Sequence, residues 1–130
     1  KQLAPAFNSP ARAAYYRWLF FTAGPLEMAT TAKAYNWRLD SDNCTSVGCG
    51  LYNDTLNTLE TALANGPYLC GEQFTAADGY VGGHISRGML FGTLEKRPVF
   101  TDYIQRLQTR EAYIRAAELD DALAKTMEHQ

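Results

Sequence analysis

Two histidines, three cysteines, five prolines and no long apolar run mark this 130-residue chain, and each scarcity excludes something. Cys44, Cys49 and Cys70 are odd in number and follow no disulfide-framework spacing, so they read as free thiols in a reducing compartment. Structural zinc asks for four ligands in two tight pairs. Cys44 and Cys49 stand five apart with no second pair, and His84 and His129 lie far off in sequence, so no metal site is expected. The Tyr68-Leu69-Cys70-Gly71 setting suggests a small buried hydrophobe at Cys70 rather than a reactive thiol. The longest apolar cluster, Trp18 to Ala23, is far short of the roughly 20 residues that span a bilayer. No basic-then-apolar leader opens the chain. A net charge of −2 gives no general attraction to nucleic acid or to anionic lipid. The first residue is Lys1 rather than Met, as expected of a fragment or a processed product.

What is present is one domain's worth of chain, with 46% hydrophobic residues to build a core. The periodicity is helical throughout, with no convincing strand and no internal repeat. Ser9-Pro10 supplies an N-cap followed by proline at the first helical position, where a missing amide costs nothing. A helix follows to Ala23. Gly24-Pro25 should kink or interrupt it before it resumes from Leu26 to about Trp37. Residues 39–50, rich in Asp, Asn, Ser and Gly, read as a loop, and a second helix spans Leu51 to Ala64 with Asn65-Gly66 as its stop. Further helices are expected from Thr75, from Val99 to about Thr109, and from Glu111 to about Met127, with fraying at the last residues. The expectation is an all-α protein: five or six helices in an irregular bundle.

The sharpest signal is Phe74-Thr75-Ala76-Ala77-Asp78. Thr75 can cap a helix while the Asp78 carboxylate reaches back to the Thr75 amide, satisfying two otherwise orphaned donors and placing negative charge at the positive end of the dipole. The residues that follow, Tyr80, Val81, Ile85, Met89 and Leu90, are largely apolar, which suggests a buried helix.

Several motifs in order extend this box into a family resemblance. They are Tyr16-Arg17-Trp18-Leu19-Phe20-Phe21-Thr22-Ala23-Gly24-Pro25-Leu26-Glu27, Val47 to Tyr52 with Leu56 to Glu60, Pro67 to Phe74, and Phe91 to Pro98. Over nearly its whole length the sequence resembles the all-helical C-terminal domain of glutathione transferases, the proteobacterial members in particular. Residues 1–130 would then be that domain alone. Two departures stand out. Family members carry a bulky aliphatic residue after the capping-box Asp, to staple against the residue before the cap; here it is Gly79, which should weaken the helix start by about 0.5–1 kcal/mol. The last helix starts Arg110-Glu111-Ala112 where the family has Arg-Pro-Ala, a change of little cost.

The resemblance implies a cytoplasmic, homodimeric enzyme acting on glutathione and a small hydrophobic electrophile. The thiol-activating Ser, Tyr or Cys would belong to a preceding thioredoxin-like domain, which would also hold most of the glutathione. No constellation in these residues suggests an independent catalytic centre or a resident cofactor. This domain would contribute one wall of the electrophile pocket, from the stripe Arg12, Tyr16, Phe20, Ala23/Gly24 and Glu27: aromatic floor, small residues, polar ends. The same stripe can also be read as core with solvated flanks. A different class of function also fits, a non-catalytic transferase-like helical domain for protein binding or assembly.

Overall fold

A computed structural model of the chain describes residues 2–127. His129 and the expected frayed end beyond Met127 lie outside the described residues. Among the described residues six α-helices follow one another: α1 (Ala11–Phe21), α2 (Glu27–Ala34), α3 (Tyr52–Leu63), α4 (Ala76–Phe91), α5 (Pro98–Gln108) and α6 (Glu111–Met127). Among the described residues the only β pairing is an isolated bridge between Tyr68 and Gly71. The all-α expectation is met.

The start of α1 follows the sequence. The Ser9 hydroxyl accepts from the Ala11 amide at 3.3 Å, and Pro10 already has helical torsions. At Gly24-Pro25 the α-helix is interrupted, as expected. Pro25 has no N–H to return to the carbonyl four residues back. The chain widens into a π-helical segment, Thr22–Leu26, in which the Glu27 amide reaches the Thr22 carbonyl five residues back. α1 and α2 therefore run on as one rod. The rod ends at Ala34 rather than near Trp37, because Asn36 takes a left-handed conformation (φ 53°). Its amide bonds the Lys33 carbonyl, and the Trp37 amide bonds that of Ala32 at 2.8 Å, the two closures of a Schellman stop.

The core lies between α1, α3, α4 and α5 and is built from Leu26, Leu56, Leu59, Val81, Ile85, Phe100 and Tyr103. α4 runs through its centre with one face only. Val81 and Ile85 are buried, but Tyr80 and Leu90 are exposed, which corrects the reading of a wholly buried helix. Two α4 glycines are fixed by packing. A Cβ on Gly82 would stand 2.2 Å from Leu107 Cδ1, and one on Gly88 would stand 2.7 Å from Leu94 Cβ.

The α4 start is the most heavily bonded point of the fold. Both halves of the capping box are in place. Asp78 Oδ2 accepts the Thr75 amide at 2.8 Å and the Thr75 hydroxyl at 2.9 Å. Oδ1 accepts the Leu69 amide and the Tyr103 hydroxyl, each at 2.8 Å. The carboxylate is fully buried, so these four donors replace its water shell. The missing staple is made good by other residues. The Phe74 ring lies over Gly79, where a Cβ would sit 3.5 Å from its Cζ, and it packs edge-on against Tyr68 beneath the Arg110 guanidinium, 3.5 Å from its centroid.

α5 starts on Pro98, preceded by Arg97, which ties three segments together. Arg97 bonds Glu60 at 2.6 Å and Asn57 at 2.7 Å on α3, and pairs with Glu95 in the loop before it. α6 differs from the rest: none of its residues is buried, and Tyr113, Ile114, Leu119 and Leu123 all face outward. No helix among the described residues is long and apolar enough to cross a membrane.

Candidate functional site

The sequence stripe on the first rod resolves into two places. At its start, Arg12 lies half-buried in an aromatic nest, its guanidinium 4.3 Å from the Phe7 ring centroid, 4.9 Å from that of Tyr16 and 5.5 Å from that of Tyr15. Its Nη1 donates to the Pro5 carbonyl at 2.5 Å and its Nη2 to the Tyr16 hydroxyl at 2.8 Å. Nη2 can only donate, so the Tyr16 oxygen accepts and keeps its own proton for another partner. Cation–π contact and hydrogen bonding hold the Arg12 charge without a carboxylate partner among the described residues. The Tyr16 ring is 42% exposed, and Phe20, one turn on, is 73% exposed. Trp18 on the opposite side is buried, and Leu19 is half-buried.

Glu27 belongs elsewhere. It lies fifteen residues beyond Arg12, or about 22 Å along a helix at 1.5 Å per residue, too far for one small ligand to bridge. It lines a groove of about 370 Å3 between α2 and α4, with Tyr35, His84, Arg87 and Phe91. The Thr30 hydroxyl in this groove donates back to the carbonyls of Leu26 (2.9 Å) and Glu27 (3.0 Å), leaving a lone pair for His84 Nε2 at 3.4 Å. That arrangement puts the proton of a neutral ring on Nε2 and leaves Nδ1 as an acceptor. Burial lowers the His84 pKa, against an opposing pull from Glu27, so the ring is neutral at pH 7.

Sequence reasoning thus brought Arg12 and Tyr16 together correctly in space, and placed Phe20 on the same exposed face. It did not group Glu27 with His84, Arg87 and Tyr35, whose groove it shares. The i, i+3 spacing of His84 and Arg87 was the available signal, but their meeting with Glu27 depends on how α2 crosses α4. Thr75 and Asp78 are structural: their polar atoms are consumed by the α4 cap. Cys70 is not an activated nucleophile, since burial pushes its thiol pKa up and Asp78 adds to the effect, with only partial opposition from a Thr75 hydrogen bond. Among the described residues no group of three or more His, Cys, Asp or Glu side chains is placed to hold a metal ion.

No family model and no curated protein matches the chain. Solved structures do. BphK, a bacterial glutathione transferase solved as a ternary complex, matches with a TM-score of 0.69 at 25% identity, over 92% of this chain and 60% of its own. A glutathione S-transferase from Actinobacillus pleuropneumoniae matches with a TM-score of 0.72 at 23% identity, over 92% and 55%. A glutathione transferase homolog from Sulfitobacter, with bound glutathione, matches with a TM-score of 0.62 at 20% identity, over 91% and 59%. The all-helical fold is that of glutathione transferase structures, in agreement with the C-terminal-domain resemblance. The chain spans a little over half the length of each of these proteins.

Proposed function

We propose that the chain is the C-terminal helical domain of a cytoplasmic bacterial glutathione transferase. It lines the site for a small hydrophobic electrophile and supports a homodimer, while a thioredoxin-like domain binds glutathione and activates its thiol. The observation that carries this reading is the agreement in fold with glutathione transferases over nine-tenths of the chain. The outward aromatic face of α1 adds to it. Tyr16 and Phe20 offer an apolar wall, and the Tyr16 hydroxyl, held by Arg12, has a proton to donate to charge developing on the electrophile. Glu27 and His84 line a separate groove farther along the rod.

The experiment is a comparison of Tyr16→Phe with wild type in the complete gene product, using an aryl halide and glutathione. The reading expects kcat for conjugation to fall about ten-fold or more, since removing one oxyanion donor costs on the order of 10²–10³ in a fully formed site. Thermal stability should hardly change. Unchanged kinetics would remove Tyr16 from the site. Sedimentation of the same protein tests the dimer, which a monomer at micromolar concentration would contradict.

A further inference from the structure

Arg12 is bound in a way that folding alone does not account for. It makes no ion pair among the described residues, and its Nε is buried there with no hydrogen-bond partner. A buried donor left unbonded costs stability, and a methionine would fill the same aromatic nest without that cost. The other donors of the guanidinium reach two oxygens, the Pro5 carbonyl at 2.5 Å and the Tyr16 hydroxyl at 2.8 Å. The first of these is an anchored point. Two residues ahead of Pro5, the Leu3 carbonyl accepts the Ala76 amide at 2.7 Å, which ties the segment before α1 to the start of α4. The Tyr16 ring is steadied as well, edge-on against Tyr15 with centroids 5.4 Å apart. Its hydroxyl oxygen is therefore held from the backbone of a separate segment, on a ring that remains 42% exposed.

We propose that Arg12 is a positioning residue that touches no substrate and acts through Tyr16, fixing the hydroxyl oxygen so that its proton is free for an oxygen of the electrophile on which negative charge gathers. The inference rests on the function proposed above. A phenol that already accepts from a cation is a stronger donor, because each hydrogen bond polarises the next. The electrophiles favoured carry an oxygen acceptor conjugated to the reacting carbon, a nitro or carbonyl group. With a nitroaryl halide, the glutathione thiolate forms a C–S bond at the halogen-bearing carbon and a ring electron pair moves onto a nitro oxygen. The pair returns to the ring as the C–halogen bond breaks and halide leaves with its electrons. Tyr16 meets the charged oxygen with a hydrogen bond and keeps its proton throughout.

The test is a double-mutant cycle in the complete gene product, with chlorodinitrobenzene and glutathione: Arg12→Met, Tyr16→Phe and the two together. Arg12→Met should lower kcat about three-fold or more with KM nearly unchanged. In the Tyr16→Phe background it should have no effect, because no hydroxyl is left to hold. Arg12→Lys, which keeps the charge and can reach one oxygen, should restore part of kcat. If Arg12→Met does not fold, the same cycle run with Arg12→Lys decides, its smaller loss again vanishing in the Tyr16→Phe background. A loss that is equal in both backgrounds, or that lies wholly in KM, overturns the positioning role and leaves Tyr16 in the site. Tyr16→Phe with unchanged kinetics overturns both.

Discussion

The Tyr103 hydroxyl donates to Asp78 Oδ1 at 2.8 Å, joining the middle of α5 to the first turn of α4 through a carboxylate that has no solvent contact. With the Leu69 amide on the same oxygen, Asp78 links α4, α5 and the loop ahead of the cap. An ordinary cap contributes about 1 kcal/mol. Asp78→Ala here strands two buried amides and a buried phenol, at about 1–3 kcal/mol each, so it should cost at least about 3 kcal/mol in urea denaturation. A loss of only 1 kcal/mol would show that Asp78 acts as a cap and nothing more.

Tyr103 also predicts an alkaline limit. Burial, the Asp78 charge and the hydrogen bond to it all raise the phenol pKa above its ordinary value near 10. The folded protein therefore keeps a proton that the unfolded chain gives up above about pH 10. Stability contributed by this group is complete below that pH and is lost as pH rises beyond it. Tyr103→Phe should flatten this part of the pH profile, measured by denaturation between pH 8 and 11.

His84 works in the opposite direction. Its lowered pKa means that the unfolded chain takes up the proton first as pH falls below about 6.5. The contribution is present above that pH and declines below it. His84→Gln should remove this part of the acid dependence. Wild type and variant with the same stability difference at pH 5 and pH 7 would contradict it.

Thr22, in the π-helical segment, is fully buried, and its hydroxyl has no hydrogen-bond partner among the described residues. Replacing an unpaired buried hydroxyl by a methyl group removes a desolvation penalty of about 1–3 kcal/mol. Thr22→Val should therefore be neutral or stabilising by about 1 kcal/mol in thermal unfolding. A loss of more than 1 kcal/mol would mean that the hydroxyl is bonded in solution.

Gly79→Ala in this chain should raise stability by about 0.5–1 kcal/mol. It removes a helix-interior glycine and gives the Phe74 ring an ordinary contact.

Local chemistry was readable from the sequence where it depends on neighbours along the chain. Thr75 and Asp78 identify a cap from three residues of spacing, and Asn65-Gly66 lies just past the end of α3. At Gly24-Pro25 the sequence shows that one backbone bond is missing, but not that the interruption takes the form of a π-helical segment. The apolar residues of α6 follow helical spacing yet stay exposed among the described residues, because α6 packs only by its start against α5. The candidate site shows the same division. Arg12 and Tyr16 meet because they stand one turn apart, whereas Glu27, His84 and Arg87 share a groove only through the crossing of α2 and α4.

Glutathione conjugation by two proteins tests the central claim most directly: the 130-residue chain alone, and the complete product of the gene that encodes it, each with a small aryl halide. The account predicts no turnover above background for the chain alone and robust conjugation by the complete product. Conjugation by the isolated chain, or none by the complete product with any of a panel of hydrophobic electrophiles, would contradict it.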